Sequence, residues 1–459
     1  MAPEPPGSFV SAPLVLGDAA LFTDLYELTM AAAFLREGVG GSATFSLFVR
    51  RLPPERAFLV AAGLEDVLEY LRQFQFSAGA LDYLRSLGRF ETEFLDHLAA
   101  LRFTGDVRAV AEGTVVFADE PLLEITGPIL ETQLLETAMI NFCHLQTVQA
   151  SKAARAVLTA GGRTLAEFGL RRSHGMDAGM KAARGALLAG FESTSNVLAG
   201  RTFGAPLSGT MAHSYVMAFP REIDAFRAYA RAFPDGAVLL LDTYDPVAAA
   251  HSAVEVAREL ARDGRRLAGV RLDSGELGPL SREVRRILDA GGCTGVPIIV
   301  SGGLDEHDIA ALLTSGAPID AFGLGTRIVV SADAPSLDMV YKLVRFDGRD
   351  VLKVSPGKET WVAAKQVLRR LGPDGRLAGD RLALAEEPVP AGATALLEPV
   401  MRSGELLHAH PPLRALRQHC AEQLRTLPDG LRQLRDAPAY QVTPSEALRA
   451  RQAAAKAGV

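Results

Sequence analysis

The 459-residue chain is 48% hydrophobic and 22% charged, an ordinary globular balance that excludes whole-chain disorder and a collagen-like or coiled-coil identity. Its 48 basic and 54 acidic residues leave a formal charge of −6, which argues against nucleic acid as the main partner and leaves room for a local anion pocket. The three cysteines, Cys143, Cys293 and Cys420, lie far apart at no metal-binding spacing, and no apolar run reaches the ~18–20 residues of a membrane helix, so the expectation is a soluble, cytoplasmic protein.

The proline-rich start reads as a disordered tail over residues 1–20 and not as a signal peptide. A helix is predicted over 24–36. Thr23 is placed to cap it, and Leu28, Ala31, Ala32 and Leu35 form its apolar stripe. Residues 43–50 have strand composition and alternation, and 63–101 read as amphipathic helix. Short strands follow from Asp106, Thr114 and Leu122, then a long helix over 129–160. Helices beside short strands predict an α+β N-terminal domain over 21–160.

From residue 161 the texture changes. Short apolar strands begin near Thr164, Val238, Ala268, Pro297 and Asp320, with helical segments over 175–188, 246–263, 280–290 and 305–314. Strands alternating with helices mean parallel βα units, and five or six of them favour a barrel over an open sheet. The predicted fold is therefore an irregular parallel α/β barrel over 161–342, an α+β N-terminal domain, and a small C-terminal unit over 343–459 that packs on the other two.

The chemistry-bearing residues fall where those strands end, the face on which barrels and open α/β sheets place ligands. EFGLRRSHG puts Arg171 and Arg172 after the first strand, and an arginine fork suits phosphate and carboxylate oxygens. His174 in the same run is read as a residue behind the site or on the surface. GFESTSNVLAG sets Ser193 to Asn196 at a helix start, where plain capping and anion binding are equally good readings. GTMAHSY carries Thr210, His213 and Ser214. Its histidine can be a general acid or base or a phosphoryl acceptor, against the blander reading of a structural histidine.

LLLDTYD and GVRLDSGEL end two successive strands in acids: Asp242 with Asp245, then Asp273 after Arg271. A carboxylate at a buried strand end needs a cation, a metal or a ligand. Such acids can hold Mg²⁺ or ribose hydroxyls. SGGLDE and FGLGT close the series with Ser301, Gly302, Gly303, Gly323, Gly325 and Thr326, glycine loops through which backbone N–H groups can approach a phosphate. These residues alone predict a barrel enzyme acting on a phosphorylated sugar, with its second substrate open.

Taken together, TDLYELTM, FGLRR, GFESTSNVLAG, GTMAHS, LLDTYD, GVRLDSGEL, SGGLDE, FGLGT and the YKL at Tyr341 resemble the nicotinate phosphoribosyltransferase family, in that family's order, over residues 23–368. The resemblance implies the type II phosphoribosyltransferase fold and a homodimer with active sites near the subunit interface. It implies formation of nicotinate mononucleotide and pyrophosphate from nicotinate and 5-phosphoribosyl 1-pyrophosphate, driven by ATP through a phosphohistidine and assisted by Mg²⁺. It makes His213 the phosphorylated residue and gives nicotinate contacts to Tyr26, Thr210 and Arg271. Arg171 and Asp242 then line the catalytic pocket. Arg171, Asp273, Ser301, Gly302, Gly303, Gly323, Gly325 and Thr326 meet the phosphoribosyl donor. A nicotinamide-using relative would carry an aspartate at the position of Ser195. This chain has none there, and Arg271 offers charge for a carboxylate. No lysine ends a core barrel strand, which disfavours a Schiff-base barrel enzyme.

Overall fold

The computed structural model describes residues 16–355 and 359–458 and divides into two compact units, 1–151 with 334–459 and 152–333. Most of the expected tail, residues 1–15, lies outside the described residues, while Leu16–Leu21 form a 3₁₀ helix. No described helix is long and apolar enough to cross a membrane.

The first unit is built on a seven-stranded sheet. Its order is Arg349–Asp350, Met339–Phe346, Ser42–Val49, Pro121–Pro128, Asp106–Ala109, Glu398–Arg402 and Glu405–Leu406. Ser42–Val49 is an interior strand, paired on both edges, and is buried at every position but the first, so both of its faces are covered. Its inward polar groups find partners across the ladder: Ser46 donates to Glu124 at 2.9 Å, and Thr44 bonds Thr126 at 2.9 Å. The C-terminal part adds a four-stranded sheet of its own, in the order Ala393–Ala395, Lys365–Leu371, Leu377–Leu384, Val442–Pro444.

The helical stretch 63–101 holds three helices, Leu64–Gln73, Ala78–Ser86 and Thr92–Ala100, with Ser77 capping the second through the N–H of Ala80. Two features of this unit differ from the sequence reading. The first helix, Leu25–Arg36, is capped by Asp24 and not Thr23, because Glu27 three residues on completes a capping box with it. The YKL motif, placed at the barrel's end from sequence, lies in Met339–Phe346. That strand pairs antiparallel with Ser42–Val49, and Tyr341 stacks on Phe45 at 4.7 Å and donates to the Thr132 carbonyl. The boundary falls at residue 334 because pairing with a strand almost three hundred residues earlier leaves no local signal.

The second unit holds six parallel strands: β1 (Thr164–Glu167), β2 (Ser193–Thr194), β3 (Val238–Leu240), β4 (Gly269–Leu272), β5 (Ile298–Val300) and β6 (Ala321–Leu324). The sheet order is β2-β1-β6-β5-β4-β3. That is the chain order wrapped into a ring, in which β6 returns to pair with β1. Only the β2–β3 pairing is absent among the described ladders, so the barrel carries one seam there. The helices Pro246–Arg262, Leu277–Ala290 and Glu306–Thr314 follow β3, β4 and β5 as crossovers. Asp245 caps the first of these through the N–H groups of Val247 and Ala248, both at 2.9 Å. Of the two acids in DTYD, Asp245 is therefore the helix cap, and Asp242 is left at the strand end.

Candidate active site

The seam positions the histidine. After β2 the chain runs beside it once more: Thr194 donates to the Pro206 carbonyl at 3.1 Å, Ser208 donates to the Thr194 carbonyl at 3.0 Å, and Leu207 makes a single parallel bridge to Thr194. Gly209 to Ala212 then lead to His213, the first residue of a five-residue helix, whose Nδ1 lies 3.2 Å from Oγ1 of Thr243 just beyond β3. The motif thus crosses from the β2 edge to the β3 end where no ladder closes the barrel.

Beside it the ends of β3, β4 and β5 carry one polar network. Arg271 on β4 donates from Nε to Ser301 at 2.9 Å, from Nη1 to Thr210 and to the Met211 carbonyl, and from Nη2 to Asp273 at 2.9 Å. Ser301, buried at the end of β5, donates in turn to Asp273. Burial raises the Asp273 carboxyl, but Ser301, Arg271 and the nearby His213 together outweigh it and hold the group below the usual carboxylate range. Asp242 accepts from the backbone N–H of Asp273 at 3.1 Å and from the Ser274 hydroxyl through Oδ2. Its Oδ1 is buried and has no hydrogen-bond partner among the described residues. A carboxylate oxygen left without a partner at a strand end is free to meet a ligand or a cation.

The anion loops follow. Gly302 and Gly303 both have left-handed backbones, φ +103° and +75°. At Gly302 a Cβ would stand 1.8 Å from the Asp273 carbonyl oxygen, so the loop after β5 lies directly on the loop after β4. Gly302→Ala is expected to cost about 3 kcal/mol or more through this clash and the positive φ, seen as a lowered unfolding temperature together with weakened binding of a phosphorylated ligand. Gly323 differs from the expectation of a phosphate-loop glycine. It lies inside β6, and a Cβ there would meet the Phe168 ring at 2.5 Å, so the structure gives it a packing role. Gly325 and Thr326 follow the strand, and Thr326 Oγ1 accepts from Arg172 Nη1 at 2.9 Å. Arg171 and Arg172 are exposed in the 3₁₀ turn Leu170–Arg172, and His174 is exposed beside them. Asn196 caps Val197–Phe203 by accepting from the Ala199 N–H, which is the capping reading of that motif.

Tyr26 belongs to the first unit, 45% exposed on Leu25–Arg36. Burial raises its phenol, as does Glu136, which accepts its hydrogen bond and also pairs with Lys342 at 3.0 Å.

Three residues escaped the sequence reading. Thr243 orients His213. Glu167, at the end of β1, is buried; burial raises its carboxyl, and it accepts from Thr194 Oγ1 at 2.6 Å and from the Gly169 N–H. Glu222 opens the helix Glu222–Ala232, and burial, then Asp245 and Asp242, push its carboxyl up to about 7. A carboxyl raised in the folded state gives stability that is full below its ordinary value of 4.5 and is lost as pH rises through 7. Glu222→Gln is therefore expected to unfold at a higher temperature than the parent at pH 8, with the advantage shrinking toward pH 5.

An almost closed parallel barrel, with glycine loops, arginines and acidic strand ends on its carboxyl face, defines an enzyme class that handles a phosphorylated, anionic substrate. Comparison with known proteins gives the family. A model of the nicotinate phosphoribosyltransferase N-terminal domain matches residues 21–144, and one of the C-terminal domain matches 389–452. A nicotinate phosphoribosyltransferase of Mycobacterium tuberculosis is 49% identical over 420 residues, 91% of this chain and 89% of its own. The enzyme of Bacillus subtilis is 41% identical over 379 residues, 81% of this chain and 77% of its own. The crystal structure of human nicotinic acid phosphoribosyltransferase matches with a TM-score of 0.83 at 34% identity, covering 93% of this chain and 98% of that one. The chain belongs to the nicotinate phosphoribosyltransferase family.

Proposed function

We propose that the protein joins nicotinate to 5-phosphoribosyl 1-pyrophosphate, giving nicotinate mononucleotide and pyrophosphate for NAD biosynthesis, with ATP hydrolysis coupled through phosphorylation of His213. Beside the family membership, the observation that carries this reading is the single network of Thr210, Arg271, Asp273, Ser301 and Asp242 across three adjacent strand ends.

In the reaction the C1–oxygen bond to pyrophosphate breaks and a bond from the pyridine nitrogen to C1 forms. The nitrogen already carries its lone pair, so no general base is needed. The work is positioning and charge stabilisation. The ionised Asp273, with the Asp242 carboxyl group beside it, favours the positive charge developing on the ribose. The backbone of Ser301–Gly303, with Gly325, Thr326, Arg171 and Arg172, receives the phosphates. Arg271 uses four of its five N–H groups on protein acceptors, so the nicotinate carboxylate meets the one that remains, with the Thr210 hydroxyl beside it. The unpartnered Oδ1 of Asp242 fits Mg²⁺ arriving with the polyphosphate, which supplies neutralising charge to the departing pyrophosphate. Tyr26 stacks on the pyridine as the residue contributed by a second copy in a homodimer. The reaction takes place in the cytoplasm.

A product assay with nicotinate and nicotinamide in parallel, each with and without ATP, tests this. Nicotinate mononucleotide formed from nicotinate, in larger yield with ATP, is the expected result. Equal use of both bases, or no response to ATP, overturns the corresponding part.

A further inference from the structure

We infer that Lys152 is a positioning residue that ties together the two loops receiving the phosphoribosyl donor; this rests on the function proposed above. Lys152 lies on the helix Glu136–Ala160, ahead of the first barrel strand and outside every motif of the site, and its side chain is wholly buried. Its Nζ stands 2.7 Å from Oε2 of Glu306, 2.9 Å from Oδ1 of Asp333 and 4.0 Å from Oδ2 of Asp305. All three are charge contacts: Nζ makes no hydrogen bond among the described residues.

The carboxylates come from two places. Asp305 and Glu306 directly follow the Ser301–Leu304 turn, and Asp305 caps the helix Glu306–Thr314 through the N–H groups of His307 and Asp308. Asp333 follows the other loop. From Gly325 the chain turns through the helix Thr326–Val329, and the N–H of Ala332 donates back to the Arg327 carbonyl at 3.0 Å, so Asp333 is set by the same compact turn that sets Thr326. One ammonium group therefore touches the base of both loops. Two arginines complete the arrangement. Arg155 donates to Glu306 at 2.8 Å, and Arg327, next to Thr326, pairs with Asp305 at 3.2 Å and Asp308 at 2.8 Å. Burial raises the Asp305 carboxyl; Lys152, the N–H groups of Asp308 and His307, and Arg327 more than offset it, so the acid stays ionised.

A lysine excluded from water is costly unless its neighbours are charged and fixed, so the cluster has little freedom to rearrange. The turn after β5 and the turn after β6 are then held at one spacing, which is what a phosphate bridging both would require. A residue that only stabilised the fold would lower activity toward both substrates alike. A residue that sets loop spacing acts on the donor.

The test uses the full chain. Lys152→Met is expected to raise KM for 5-phosphoribosyl 1-pyrophosphate about tenfold or more, with KM for nicotinate changed less than about twofold. Lys152→Arg restores part of the donor affinity. Asp333→Asn, which keeps the Glu306 arm, shifts donor KM in the same direction by a smaller factor and decides the matter if Lys152→Met does not fold. Donor binding by titration calorimetry gives the same order without turnover. Folded Lys152→Met and Asp333→Asn proteins with unchanged donor KM overturn the inference, as do equal losses for both substrates. A wild-type protein that binds no 5-phosphoribosyl 1-pyrophosphate instead overturns the function on which the inference rests, and the inference with it.

Discussion

His213→Ala is expected to abolish stimulation by ATP while the protein folds normally and keeps an ATP-independent transfer activity. The Thr243 hydroxyl stands 3.2 Å from Nδ1. With Thr243 accepting from Nδ1–H, the ring is held in the tautomer that keeps the Nε2 lone pair free, the arrangement of a nucleophilic imidazole. On the function proposed above, Nε2 would attack the γ-phosphorus of ATP with ADP leaving, and hydrolysis of the N–P bond would return the ring. Of the groups that would hold the phosphoribosyl substrate, Asp273 feels His213 through its charge and the others make no contact with it among the described residues, so deletion should separate coupling from most of the transfer. The ring is half-buried in a five-residue helix, and its loss should move the unfolding temperature by no more than about 2 °C. Acid-labile label from γ-phosphate-labelled ATP is expected on the parent and absent from the variant. Thr243→Val should slow labelling several-fold, since the tautomer is then no longer selected. Equal labelling of parent and His213→Ala rejects the phosphohistidine, and a joint fall of melting temperature and all activity makes the histidine structural.

What was legible in the sequence follows a physical line. Buried parallel strands read as short apolar runs, and those ending in Asp242, Asp273 and Ser301 were visible because polar groups at buried strand ends need a reason. The structure brings those three into one network with Arg271 and Thr210. Strand β2 escaped because two residues, Ser193 and Thr194, are too short to show any period, and the asparagine cap beside them gave a complete helical explanation. Asp245 and Gly323 were overread for the converse reason. A helix cap and a glycine under an aromatic ring carry the same letters as a ligand site, and only the Val247 and Ala248 N–H groups and the Phe168 ring decide between them. Thr243 and Lys152 were silent. One acts through a neighbour thirty residues away, the other through charges more than 150 residues away, and no local pattern encodes either. The same limit explains why the expected barrel runs on to Lys342, through the first half of a strand, Met339–Phe346, whose partner is Ser42–Val49.

Arg271→Ala should reduce kcat/KM for nicotinate by about a hundredfold or more and remove most of the preference over nicotinamide. The sequence offers Arg271 as a free charge facing a carboxylate. The structure places it differently, with Nε, Nη1 and Nη2 already donating to Ser301, Thr210, the Met211 carbonyl and Asp273. Its charge is partly matched before any ligand arrives, so selectivity cannot rest on an unpaired guanidinium alone. It rests on a donor array that Asp273 and Ser301 hold rigid. A carboxylate oxygen can accept from the remaining N–H, whereas the amide NH₂ of nicotinamide would set a donor against donors. The deletion also withdraws two of the influences that keep Asp273 below its ordinary range, so that carboxyl should rise toward that range. The loss of activity should therefore deepen as pH is lowered toward the carboxylate range. Arg271→Lys keeps the charge but not the fork, and should recover little of the selectivity. If Arg271→Ala keeps the parent's ratio of nicotinate to nicotinamide turnover, the selecting contact lies elsewhere. If it loses both bases equally with a pH-independent factor, Arg271 acts only by supporting Asp273 and Ser301.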